Sequence, residues 1–114
     1  MRKTIQGFAL VLIATGCGGA SSAAPQPVVP VSTTSVNLSS NAFSPGAIRV
    51  SPGAVVTFTN LDGIAHNLTF TSAGITSVGN FTTGARQVAM PNVPGTYDYH
   101  CTIHAGMSGS VQVQ

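Results

Sequence analysis

Val55-Val56-Thr57-Phe58-Thr59-Asn60-Leu61-Asp62-Gly63-Ile64-Ala65-His66-Asn67-Leu68-Thr69-Phe70 is the stretch that decides the fold. Val56 and Phe58 fall on one face of an extended segment, and β-branched residues fill the positions around them, which suits a half-buried strand. Asn60-Leu61-Asp62-Gly63 has the chemistry of a turn: Asn and Asp bond back to the local backbone, and Gly accepts a left-handed conformation. A second strand follows, and its period of two places His66 on the same face as Leu68 and Phe70. A strand, a tight connection and another strand carrying an inward histidine are the seed of an all-β domain.

The same pattern extends in both directions. Ile48 and Val50 alternate before a Pro52-Gly53 turn, and Arg86 to Met90 reads as a strand closed by Pro91-Asn92-Val93-Pro94-Gly95. Tyr97, Tyr99 and Cys101 share a face, as do Val111 and Val113. Residues 71–80 are rich in Gly, Ser and Thr and are expected to form a loop. No segment keeps a helical period. Roughly six to eight short strands with turn signals between them predict a Greek-key antiparallel β-sandwich. Its core is small, so a metal bound to the folded state would add stability.

The chain of 114 residues divides into three parts. Residues 1–16 open with Met1-Arg2-Lys3 and continue into Phe8-Ala9-Leu10-Val11-Leu12-Ile13-Ala14, an apolar run too short to span a bilayer. Ala14-Thr15-Gly16-Cys17 then resembles a bacterial lipoprotein signal, in which cleavage precedes the Cys and the thiol is lipidated. An ordinary export signal cut between Ala20 and Ala24 would deliver the same domain. Residues 17–35, Cys17 followed by small residues, prolines and no charge, are expected to be a flexible linker, reaching roughly 55 Å if polyproline-like. Residues 36–114 are the expected domain. The expected location is the periplasm or cell envelope, with a membrane anchor at Cys17.

The leader also revises the charge balance. Formal net charge is +2, yet Arg2 and Lys3 belong to the leader. Arg49 and Arg86 against Asp62 and Asp98 cancel, which excludes an electrostatic footprint for nucleic acid. A Cys17–Cys101 disulfide is the one pairing the two cysteines permit. Lipidation of Cys17 would remove it and leave Cys101 a lone thiol.

Cys101-Thr102-Ile103-His104-Ala105-Gly106-Met107 carries the chemistry. Seven residues offer a thiolate, an imidazole and a thioether, a soft donor set that suits copper and not magnesium or calcium. A trigonal His₂Cys arrangement with a weak axial Met is the electron-transfer copper site, and His66 supplies the second imidazole. Met90 is the competing thioether, but it ends a strand and is more simply core, so Met107 is the expected axial ligand. His100 sits beside Cys101 with strand parity directing it outward, and is set aside as a surface or hydrogen-bonded residue.

Asn41-Ala42-Phe43-Ser44-Pro45, Ile48-Arg49-Val50 with Pro52-Gly53, Val56-Thr57-Phe58-Thr59-Asn60, His66-Asn67 and Tyr97-Asp98-Tyr99-His100-Cys101-Thr102-Ile103-His104 together resemble the plastocyanin family of cupredoxins. The short CxxHxxM loop is similar to that of the amicyanins. The resemblance implies one type 1 copper per chain, held by His66, Cys101, His104 and Met107 and cycling between Cu(II) and Cu(I). It also implies a hydrogen bond from the backbone N–H of Asn67 to the Cys101 sulfur. Amicyanins usually carry Pro where this chain has Ala105, whose N–H is expected to reach the thiolate as well and raise the reduction potential.

The function expected is electron transport by a monomer between redox partner proteins, without catalysis, leaving through the His104 edge into a patch of Ile103, Ala105, Gly106 and Ile64. A copper carrier or storage protein is the alternative.

Overall fold

The structure is a computed structural model that describes residues 29–114. The signal segment 1–16, Cys17 with its expected lipid or disulfide, and most of the expected linker lie outside the described residues.

Ten strands and no helix make up the described chain: β1 (Val31–Ser32), β2 (Ser35–Ser39), β3 (Ala42–Ser44), β4 (Ala47–Val50), β5 (Val55–Asn60), β6 (His66–Phe70), β7 (Val78–Phe81), β8 (Gly84–Ala89), β9 (Gly95–His100) and β10 (Ser108–Val113). They form two sheets, one ordered β1-β4-β10-β9-β6-β7 and the other β3-β2-β5-β8. Alternation on each strand directs one face of each sheet into a shared core. Val36 and Leu38 of β2, Val56 and Phe58 of β5, Leu68 and Phe70 of β6, and Val111 and Val113 of β10 are all buried there. Each such side chain contributes about 1.5–3 kcal/mol of apolar burial.

Tyr99 of β9 lies at the centre. Its ring packs edge-on against Phe43 and Phe58, at 4.7 and 5.3 Å between centroids, and tilted against Phe70 at 5.2 Å. Its hydroxyl is buried without a hydrogen-bond partner, and burial holds the phenol well above its usual pKa. Gly109 is paired with Tyr99 across β9 and β10, and a side chain there would meet the Tyr99 hydroxyl.

The all-β sandwich is as expected, with two corrections of detail, in strand direction and in the 71–80 segment. The sheets are mixed: β1 and β10 both run parallel to β4, and β2 runs parallel to β5. Period-two alternation reports which face a residue occupies and is silent on the direction of the neighbouring strand. β1 lies ahead of Val36, the first residue of the expected domain. Val31 and Ser32 are both exposed and bury nothing, so composition does not mark them. They are held by backbone pairing to β4 and by Arg49, which donates to Ser32 Oγ from Nε and Nη2 at 3.3 and 3.0 Å. Finally, the expected loop at 71–80 contains part of an edge strand. β7 pairs with β6, with an irregular register between His66 and Leu68.

Candidate metal centre

Two loops at one end of the sandwich build the site: residues 61–65, between β5 and β6, and residues 101–107, between β9 and β10. Asn60 organises the first. Its buried amide donates to the carbonyl oxygens of Ile64 and Phe81, at 2.8 Å each, and its Oδ1 accepts from Asp62 N–H at 2.9 Å. This folds 61–65 back upon itself and delivers His66 at the first position of β6, fully buried.

The second loop is closed by its own backbone. Cys101 N–H donates to Met107 C=O at 2.9 Å and Met107 N–H to His104 C=O at 3.3 Å. Gly106 takes the left-handed conformation (φ +79°) that lets so short a loop return to β10. Cys101 and Met107 are buried, at 4% and 2% exposure, while His104 is half-buried.

His66, Cys101 and His104 converge with one donor atom from each within 4.8 Å of the others. His66 Nδ1 lies 4.0 Å from Cys101 Sγ. Two donors sharing one ion at metal–nitrogen and metal–sulfur lengths of about 2.0 and 2.3 Å stand about 3.8 Å apart at a trigonal angle, so the spacing fits a single ion. The imidazole rings are 4.6 Å apart.

Both rings have their outer nitrogen occupied. His104 Nε2 is 3.0 Å from the Ala65 carbonyl oxygen, and His66 Nε2 is 2.7 Å from Asp62 Oδ2. A carbonyl and a carboxylate only accept hydrogen bonds, so each contact calls for a proton on Nε2, and in the neutral ring Nδ1 is then the nitrogen with the free lone pair. In neutral rings these two bonds select the Nε2–H tautomer, which leaves Nδ1 to serve as the metal ligand. Asp62 in turn accepts from Ser40 N–H at 2.6 Å and Asn41 N–H at 3.2 Å. The bond from His66, followed by that from Ser40, holds its carboxyl below the usual carboxylate value.

The sulfur has its own donor. Asn67 N–H is 3.5 Å from Cys101 Sγ, as the resemblance implied. The Asn67 side chain ties β6 to the second loop, donating to Thr102 Oγ1 at 2.7 Å and Asn80 Oδ1 at 3.0 Å while accepting from Thr102 N–H at 3.0 Å.

One expectation fails, at Ala105, while Met90 and His100 lie where the sequence reading set them. Among the described residues Ala105 N–H makes no bond to Cys101 Sγ, so the expected second amide donor is missing. The loop-closing bond runs instead from Met107 to His104, and Ala105 is exposed. Met90 is buried at the opposite end of β5, where its N–H meets Ala54 C=O at 2.9 Å. His100 lies outside the three-donor cluster and is half-buried.

The sequence reading missed Asp62 and Asn60 as parts of the site, taking Asn60-Leu61-Asp62-Gly63 as turn chemistry alone. A carboxylate four residues before an inward histidine, with a turn between them, was the available signal. The Ala65 carbonyl has none, because every residue has one.

A small sandwich whose loop end gathers two imidazoles and a thiolate defines a mononuclear soft-metal protein. The family model for copper binding proteins of the plastocyanin/azurin family matches residues 30–114, and the chain belongs to that family. Amicyanin-alpha from Methylorubrum extorquens is 34% identical over 89 residues, 75% of each chain. The Cu(I) form of an amicyanin variant superposes with a TM-score of 0.64 at 26% identity, covering 75% of this chain and 86% of that one. A purple cupredoxin from Nitrosopumilus maritimus shares the fold, with a TM-score of 0.62 at 21% identity over 70% of this chain and 98% of that one. Copper is the metal that family and donor chemistry assign.

Proposed function

We propose that this chain carries one electron at a time between protein partners, using a single copper that His66, Cys101, His104 and Met107 would hold. The observation that carries the reading is the convergence of both histidines and Cys101 with each imidazole already keyed through Nε2. Copper, when bound, supplies a Cu(II)/Cu(I) couple that takes up and releases one electron without a proton. The protein's part is to keep the donors where both oxidation states accept them. Asn67 and the loop-closing amides hold Cys101 and His104, and the sandwich core buries His66, Cys101 and Met107.

Burial of the donors also weighs against a copper carrier. His66 at 0%, Cys101 at 4% and Met107 at 2% exposure offer an incoming chelator little access, and a carrier must release its metal. Catalysis needs an open coordination position, and four protein ligands on one ion would leave none. Docking would use the loop end, where Leu61, Ile64 and Ile103 are exposed. We place the domain in the periplasm or cell envelope, tethered as a monomer by lipid on Cys17.

Adding Cu(II) to the purified chain tests the reading. One equivalent should produce intense blue absorption, and Cys101→Ser should abolish it. A colourless complex in the unaltered chain would overturn it.

A further inference from the structure

We propose that Asp62 is a positioning residue for the copper centre: its carboxylate, gripped by the Ser40–Asn41 turn, fixes the His66 ring and lowers the reduction potential of the metal. This deepens the proposed function and rests on His66 as a ligand.

Three observations meet at this side chain. His66 is fully buried, and its Nε2 lies 2.7 Å from Asp62 Oδ2, while Nδ1 faces Cys101 Sγ. The carboxylate is itself fixed. Ser40 N–H and Asn41 N–H point at it from 2.6 and 3.2 Å, one at each oxygen. Those two residues hold left-handed backbone, φ 54° and 56°, although neither is glycine. Side-chain-bearing residues occupy that region at a cost, and here the conformation aims two consecutive amides at one acceptor. The chain of contacts therefore runs from the β2–β3 turn through Asp62 to His66, and it joins the four-stranded sheet to the metal end of the six-stranded one.

The chemistry follows from charge. A carboxylate hydrogen-bonded to Nε2–H makes the imidazole a more basic donor at Nδ1. A more basic donor favours Cu(II), the more positive ion, over Cu(I). Removing the negative charge should therefore raise the potential and weaken Cu(II) binding more than Cu(I) binding. An amide at this position cannot reproduce the arrangement. It offers one acceptor atom, and the donors arrive at both oxygens.

Asp62→Asn and Asp62→Ala, studied in the full chain beside Asp98→Asn, test the proposal. Asp98 is an exposed residue of β9, so its variant makes the same change in net charge away from the site. Voltammetry should show a higher potential for both Asp62 variants and none of that rise for Asp98→Asn. Cu(II) affinity should fall about 10–100-fold in the Asp62 variants. Nitrogen NMR of the metal-free protein supplies an independent readout: His66 should be in the Nε2–H form in the unaltered chain and lose that fixed tautomer in Asp62→Ala. A potential unchanged from the parent, or matched by Asp98→Asn, overturns the proposal even if the unaltered chain is blue. A metal-free His66 without Nε2–H overturns it even if the variants fail to fold. Failure of the unaltered chain to turn blue instead indicts the copper reading.

Discussion

Gly109 shows how little freedom single positions have around the centre of the core. A Cβ built there would stand 2.5 Å from the Tyr99 hydroxyl oxygen and 3.1 Å from the Gly46 carbonyl oxygen. Tyr99 cannot swing aside, because Phe43, Phe58 and Phe70 hold its ring. Gly109→Ala should therefore destabilise the protein by about 1–3 kcal/mol, read as a lower thermal midpoint. A midpoint equal to the parent's would mean the ring has room that the structure does not show. Individual donors were legible in the sequence for a chemical reason: Cys, His and Met are few, and their softness restricts the metal. The keying partners were not. A backbone carbonyl such as that of Ala65 has no sequence signature, and Asp62 was masked by its ordinary role in a turn.

The β2–β3 turn is where an element, more than any residue, carries the constraint. Ser40 and Asn41 adopt consecutive left-handed conformations so that their amides meet Asp62. Asn tolerates this region and a β-branched residue does not. Asn41→Val should cost about 1–2 kcal/mol in thermal or denaturant unfolding, whereas Asn41→Gly should fold at least as stably. Equal stability of the two variants would show that the turn is free to adopt another form. At this scale the sequence was informative for strands that bury side chains, such as β5 and β6, whose alternation marks their inward faces. It was silent on β1 and misleading on β7. Both are edge strands held by backbone pairing, with few or no buried side chains to mark them. Parallel pairing of β2 with β5 and of β10 with β4 was equally invisible, since direction depends on where distant segments return.

Among the described residues the formal charges cancel, although the full chain carries +2. Arg49, Arg86, Asp62 and Asp98 cancel, and Asp62 is engaged with His66. A partner docking at the exposed Leu61, Ile64 and Ile103 would gain little from steering, so its association rate should change little with added salt. Stopped-flow electron transfer with a candidate redox partner across a range of ionic strength checks this, and a steep salt dependence would contradict it. The whole-molecule class was readable from the sequence because two independent signals agreed: period-two strands throughout, and four soft donors that only a folded sandwich could gather. The most direct test of the account is voltammetry of the copper-loaded chain with copper content measured alongside. One copper per chain should cycle reversibly by one electron, with the blue colour lost on reduction and both signals absent from Cys101→Ser. A chain that binds copper without a reversible one-electron wave, or that keeps it in Cys101→Ser, would contradict the account.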